Sequence, residues 1–377
     1  MTKIPIGRLR VNSFVLNSRI CSELVGLASF LHSTVPSFAR AIINLAVSLG
    51  EAGHRAEALA AAEEAVSLRR ELVATNRGAH VADLASALNN LAVELAATGR
   101  NIDALVAEEE SVGLRRELVA MNRAAHASDL SISLNNLSVQ LATVGHHADA
   151  LVAAKEAVGF RRELVALNRD AHLQDLALSL NNLALRLSKA GDIESALRVS
   201  EEAVAIYREL LGLNREPYVR GLATGLTRLA AHLAKSRRLD EALAASEEAV
   251  ALRRELVEAD RVAHLPDLAA SLTNLALRLA ESGDIRQALT VCREGIAVRR
   301  ELAESDVQLH GAGLATSILQ LAILLHDYGN PVDAISAARE SVELFRQLDD
   351  VVAQDLTSDR RLVEDLYGAM IEEPDLE

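Results

Sequence analysis

The chain has 377 residues, half of them hydrophobic but only 2% aromatic and none Trp, so its core must be built from Leu, Ala, Val and Ile. A net charge of −14 excludes a general nucleic-acid binder, which needs a basic footprint on the phosphates. Two distant cysteines, Cys21 and Cys292, supply neither a disulfide framework nor a metal-binding spacing, and no apolar run reaches the roughly 18 residues that would span a bilayer. These features predict a protein of the reducing cytoplasm, with no cofactor, metal, membrane segment or nucleic-acid partner.

The chain opens with Lys3, Arg8, Arg10 and Arg19 and no acid among its first twenty residues, a composition that transit peptides share. Residues 1–36 are read instead as a degenerate N-terminal cap. From residue 37 to 348 a 46-residue period takes over. Gly53, Gly99, Gly145, Gly191, Gly283 and Gly329 share one column, which only Arg237 interrupts. Ala58, Ala104, Ala150, Ala196, Ala242, Ala288 and Ala334 fill a second column without exception. Self-similarity at such a period is the signature of stacked helical repeats.

Residues 83–128 show the unit. Leu84, Leu88, Leu91 and Leu95 form the stripe of an amphipathic helix that ends at Thr98-Gly99, where glycine supplies a left-handed cap. A second helix is predicted from about Ile102 to about Met121, followed by a polar linker, Asn122 to Ala127. Asp129 then stands near the next helix start, where its charge suits the macrodipole. Pro266, just before Asp267, is expected at a first helical position, where its missing N–H costs nothing. Each repeat is thus a helical hairpin. Ala58 and its equivalents, with Ala46, Ala92, Ser138, Ala184, Ala230, Ala276 and Ala322 on the first helices, let the two helices approach closely. Beyond residue 348 the pattern decays. Asp359, Tyr367 and Ile371 keep their columns while Glu364 and Asp365 replace Leu and Asn, so 349–377 reads as a C-terminal capping helix and acidic tail.

The positions Ala92, Gly99 and Ala104, recurring in most other units, and the string Leu-Asn-Asn-Leu at 88–91, 134–137 and 180–183 resemble the tetratricopeptide repeat family, in its longer-period branch typified by kinesin light chain. The resemblance covers about 37–348. It implies an all-α, right-handed α-solenoid of about seven hairpins, a superhelix with terminal capping helices. The usual aromatics of the first helix are Leu here. The unit exceeds the roughly 34 residues of the basic repeat, and the extra length is expected to extend the second helix and its linker.

No phosphate loop, metal cluster or nucleophile signature is present. His80, His126, His172, His264 and His310 recur once per repeat, about 10 Å apart, too far to share a zinc ion. Paired arginines such as Arg69-Arg70 and Arg115-Arg116 read as a solvated charged face. The candidate site is another column, Asn44, Asn90, Asn136, Asn182 and Asn274, with Arg228 and Gln320 in the remaining units. In the resembled family this position lines the concave groove and bonds the backbone of a bound peptide. The competing role is an inter-repeat ladder that holds helices in register. Positions four and seven residues further share its face, and there the central units carry Arg186, Lys189, His232 and Lys235, a basic cluster in an acidic protein, where the first full unit has Glu94. Thr224 and Ala231 leave the family's carboxylate-clamp pattern incomplete.

The sequence therefore predicts a non-catalytic interaction scaffold that takes a protein or peptide partner, with acidic ones favoured. A sensor arm of a larger signalling or defence enzyme, and self-association through the repeats, are the alternatives.

Overall fold

The computed structural model describes residues 35–348. Apart from Val35 and Pro36, which open the first helix, both expected caps lie outside the described residues. Fourteen helices follow one another, with no strand among the described residues. The chain divides into two compact units, residues 1–146 and 147–377. Unit 1 contains α1 (Val35–Glu51), α2 (Arg55–Thr75), α3 (Arg77–Ala97), α4 (Asn101–Met121) and α5 (Arg123–Thr143). Unit 2 contains α6 (His147–Leu167), α7 (Arg169–Lys189), α8 (Ile193–Leu213), α9 (Val219–Lys235), α10 (Leu239–Ala259), α11 (Arg261–Glu281), α12 (Ile285–Ser305), α13 (Val307–Asp327) and α14 (Pro331–Gln347). Within each unit every helix packs against the next, and first helices of successive hairpins also touch. Each unit is a stacked-hairpin solenoid.

The two connections of the repeat differ. Inside a hairpin the turn passes through a left-handed residue, and Gly53, Gly99, Gly145, Gly191, Gly283 and Gly329 all have φ between 79° and 91°. Arg237 takes the same turn at φ 61°, where its Cβ is crowded. Between hairpins the expected polar linker does not exist. Asn122 alone separates α4 from α5: its backbone is extended, its N–H bonds the Leu118 carbonyl, and its side chain accepts from the Ala125 N–H. Asn76, Asn168, Asp260 and Asp306 cap the following helix in the same way. Arg, Ala and His tolerate a helix well enough once such a cap has started it, so the extra residues lengthen both helices, and α2 to α5 each run 21 residues. The exception is Asn214, after which Pro217 sits in a short turn and α9 shortens to 17 residues. Pro266 lies inside α11, six residues in, rather than at its first position.

Small residues hold the helices together. Ala58, Ala104, Ala150, Ala196, Ala242, Ala288 and Ala334 are completely buried, as are Ala92, Ser138, Ala184, Ala276 and Ala322. Leucines fill the remainder, among them Leu84, Leu88 and Leu95 in unit 1 and Leu180, Leu222, Leu226 and Leu272 in unit 2. Each contributes about 1.5–3 kcal/mol on burial. By length and composition α13 could cross a membrane, contrary to the sequence expectation. Its Leu314, Ile318, Ala322 and Leu325 are buried in the clusters formed with α12 and α14, the environment of a core helix. Cys292 is buried on α12 with its thiol pushed up to about 11 by desolvation, while Cys21 lies outside the described residues.

Ion pairs stitch successive hairpins, each ending on a glutamate of the next second helix. Arg70 meets Glu110 and Arg77 meets Glu117 in unit 1; in unit 2, Arg162, Arg169, Arg208, Arg215, Arg254, Arg261 and Arg300 each meet a glutamate 40 residues on. All are exposed, which limits each to roughly 0–1 kcal/mol. The neighbouring arginine is different. Arg69, Arg115, Arg161 and Arg253 are buried, and Arg69, Arg161 and Arg253 each pair with Asp83, Asp175 or Asp267 at 2.7–2.8 Å. The aspartate column therefore answers an arginine from the preceding helix and sits about two turns inside its own.

Candidate ligand-binding groove

On a first helix, positions i, i+3 and i+7 share a face. In unit 2 this face opens a cavity of about 260 Å³ whose lining includes Asp175, Leu178 and Asn182 of α7 and Gly221, Thr224 and Arg228 of α9. A second cavity, about 680 Å³, is lined by Ala231, Lys235, Arg237, Arg278 and Glu281 among others. Unit 1 carries its own cavity of about 300 Å³, with Gly50, Glu51, Asn90 and Glu94 in its wall. The same helical positions thus present a carboxylate in unit 1 and guanidinium groups in unit 2.

Arg228 lines the smaller unit 2 cavity, and Arg186 lies near enough to feel its charge. Both are half-buried, and each has a buried Nε without a hydrogen-bond partner. Burial lowers the pKa of both, and the Arg228 charge lowers that of Arg186 further. Two neighbouring cations with no ion pair to an acid among the described residues are an electrostatically unfavourable arrangement. Asn182 is half-buried beside them, and Lys189 is exposed. Arg278, one repeat further, is answered by Glu281 at 2.8 Å.

Other expected site residues are already engaged. His232 is only 4% exposed, its Nδ1 lies 2.8 Å from Ser200 Oγ, and burial, then Lys235 and Arg228, push its pKa down to about 4. It is a neutral interior residue, which departs from its expected role as a basic groove contact. Lys235 donates to Ser188 Oγ at 3.0 Å, and Gln320 donates to the Thr273 carbonyl at 3.2 Å. Asn136 donates to Asn89 Oδ1 at 2.8 Å. Each of these three bonds ties a first helix to the one before it, which is the ladder role. Asn44 and Asn274 are exposed and Asn90 is half-buried. Asn44, Asn90 and Asn136 belong to unit 1 and the remaining candidates to unit 2.

Two features escaped the sequence reading. The asparagine preceding the column residue is the more buried one: Asn181 is 3% exposed, with its Oδ1 unpartnered at the cavity wall. Glu108 in unit 1 is completely buried. Its carboxyl is raised to about 7 by desolvation, against the opposing pull of Ser133 and the Arg115 charge. Its column otherwise holds Ala62, Ala154, Ser200, Ser246, Cys292 and Ala338, so the odd residue was visible in the alignment of repeats. No group of three or more His, Cys, Asp or Glu is placed to hold a metal ion among the described residues.

The family model for the tetratricopeptide repeat matches residues 38–76, 84–120, 176–216 and 268–306. That of anaphase-promoting complex subunit 5 matches 113–183, 221–266 and 303–357. No curated protein matches the sequence. Among solved structures, BtubC (BKLC) from P. vanneervenii is 20% identical with a TM-score of 0.52, over 65% of this chain and 90% of that one. The apo form of RapI is 12% identical with a TM-score of 0.59, over 82% and 97% respectively. A signal transduction ATPase with numerous domains (STAND), carrying a tetratricopeptide repeat sensor, from Pyrococcus horikoshii, is 12% identical with a TM-score of 0.56. That match covers 92% of this chain but 47% of the other. At these identities the likeness is one of fold.

Proposed function

Since the chain is a tetratricopeptide repeat protein, we propose that it is a non-catalytic, cytoplasmic interaction scaffold whose unit 2 groove takes an extended acidic peptide or partner helix. The observation that carries this reading is the Arg186–Arg228 pair, half-buried, in no ion pair among the described residues and with buried Nε atoms lacking partners. A ligand carboxylate between them would relieve their mutual repulsion and form charge-assisted hydrogen bonds. Asn182, beside the pair, offers an amide to the ligand backbone. Lys189 adds charge at the rim.

A peptide-library screen against the wild type and an Arg186→Gln/Arg228→Gln double variant tests it. Acidic peptides should dominate among binders, and the double variant should lose about tenfold or more in affinity, as expected for charged hydrogen bonds. Its residual binding should depend less on salt. Binders without acidic preference, or a double variant that binds as the wild type does, reject the reading; binding only of a second copy of this chain favours self-association. The second reading, a sensor arm working beside an enzyme, draws on the STAND likeness, in which the repeat sensor is one part of a longer chain. Pull-down from the native host with wild type and double variant distinguishes a catalytic partner from a plain peptide ligand.

A further inference from the structure

In five of the seven repeats the position of Arg69 is an arginine: Arg69, Arg115, Arg161, Arg253 and Arg299. Four are answered from the next helix. Arg69, Arg161 and Arg253 reach Asp83, Asp175 and Asp267 at 2.7–2.8 Å, and Arg115 donates to the Asp129 carbonyl oxygen at 2.5 Å. The second nitrogen of Arg253 also finds Thr224 Oγ1 at 2.7 Å, and that of Arg115 finds Ser86 Oγ at 3.3 Å.

Arg299 has lost both kinds of partner. Gly313 stands where the aspartate belongs, and Ala270 stands where Thr224 and Ser86 stand in their repeats. The guanidinium lies over the glycine, so close that a Cβ built on Gly313 would be 2.2 Å from Arg299 Nη1. Its Nε is buried without a partner, and burial is the sole influence on its pKa, which is lowered. The other repeat that lacks the aspartate behaves differently. At Gly221 the arginine is gone too, and Tyr207 fills the space, its ring 2.3 Å from where a Cβ would stand. There the site is closed by an aromatic ring; at Gly313 the cation remains while its carboxylate and hydroxyl partners are missing. A half-buried guanidinium with no acid to pair it among the described residues is costly, so the arrangement calls for an acid from beyond them.

The place is the same helix face as the groove. Gly221, Thr224 and Arg228 line the cavity of unit 2, and Gly313, Thr316 and Gln320 are the same positions two repeats on. We propose that Arg299, left without its carboxylate by Gly313, is a second anion site of the unit 2 groove and takes a carboxylate side chain of the bound acidic peptide. The inference rests on the groove reading above and adds to it a specificity position toward the C-terminal end. A carboxylate is the expected group because an Asp carboxylate occupies this position opposite Arg69, Arg161 and Arg253, accepting a charge-assisted bond from Nη1.

The test is a fluorescence-anisotropy titration of a labelled oligoglutamate peptide, at low ionic strength, against four full-length proteins: wild type, Arg299→Gln, Gly313→Asp and the Arg186→Gln/Arg228→Gln double variant. Gly313→Asp restores the internal carboxylate and should shut the ligand out while melting no lower than the wild type. Arg299→Gln removes the cation. Each should weaken peptide binding about tenfold, the scale of one charged hydrogen-bonded pair. Unchanged affinity in both variants overturns the inference. If only the Arg186/Arg228 variant loses affinity, the groove reading stands and this site falls; if only the Arg299 and Gly313 variants lose it, this site stands and the central pair falls. A wild type that does not bind the peptide saturably overturns both.

Discussion

Replacing Glu108 by Gln should stabilise unit 1, and the gain should appear only above acidic pH. The carboxyl is completely buried, and desolvation raises its pKa from 4.5 to about 7. A carboxyl whose folded pKa is raised favours the protonated fold. Its stability contribution is intact below about 4.5, falls as pH rises toward 7 and stays lost above that. The difference between the two values corresponds to about 3 kcal/mol of penalty at pH 8 and less than about 1 kcal/mol at pH 5. Glutamine keeps the shape and cannot ionise, so the variant should exceed the wild type by those amounts at the two pH values. Chemical denaturation followed by far-UV circular dichroism at pH 5 and pH 8 gives the midpoints. Hydrogen exchange of the α4 amides localises the effect should the two units unfold separately. A gain that is equal at both pH values, or a loss at pH 8, would refute the argument, because Glu108 would then be ionised and stabilised in the fold by partners such as Arg115.

Two further outcomes follow from backbone and packing geometry. Arg237→Gly should stabilise unit 2 by about 0.5–1 kcal/mol, because it relieves a left-handed side-chain residue at a turn whose counterparts are glycine; a lower melting temperature would mean the arginine contributes more than it strains. Gly221→Ala should cost about 1–3 kcal/mol, since its Cβ would meet the buried Tyr207 ring at 2.3 Å. Adding Tyr207→Leu should recover most of that loss in thermal melts, and no recovery would place the strain elsewhere.

The hairpin architecture was legible because it rests on residues that have few alternatives. Glycine where φ is positive and alanine where two helices touch leave marks at a fixed period, and both columns stand where that period places them. The charged columns were legible as columns but not as contacts. Arg69 and Asp83 recur 14 residues apart, a spacing open to inspection. Nothing local says that the arginine is buried while its neighbour Arg70 is solvated, since that depends on which side faces the next hairpin. The joint at Asn122 was misread for a similar reason, because Asn-Arg-Ala-Ala-His is polar enough for a linker and equally able to start a helix. The candidate site shows the limit most clearly. Asn136 and Asn182 are identical in sequence position, yet Asn136 is held by Asn89 while Asn182 lines a cavity, and only the tertiary neighbours decide that. Arg186 and Arg228 were legible as a basic cluster; their burial and want of partners were not.

The single-residue joints bear on how such an array can change length. Asn168-Arg169 and Asp260-Arg261 each combine a cap for the next helix with an arginine that finds its glutamate 40 residues on. A cut at one joint and a splice at another regenerates the cap, the turn-free connection and the ion pair together, without any loop to redesign. A cut anywhere else leaves a helix out of phase with its neighbour. Growth or shrinkage of unit 2 is therefore quantised in whole hairpins, and excising residues 169–260, which joins Asn168 to Arg261, should yield a shorter protein that folds, whereas excising a single helix should not.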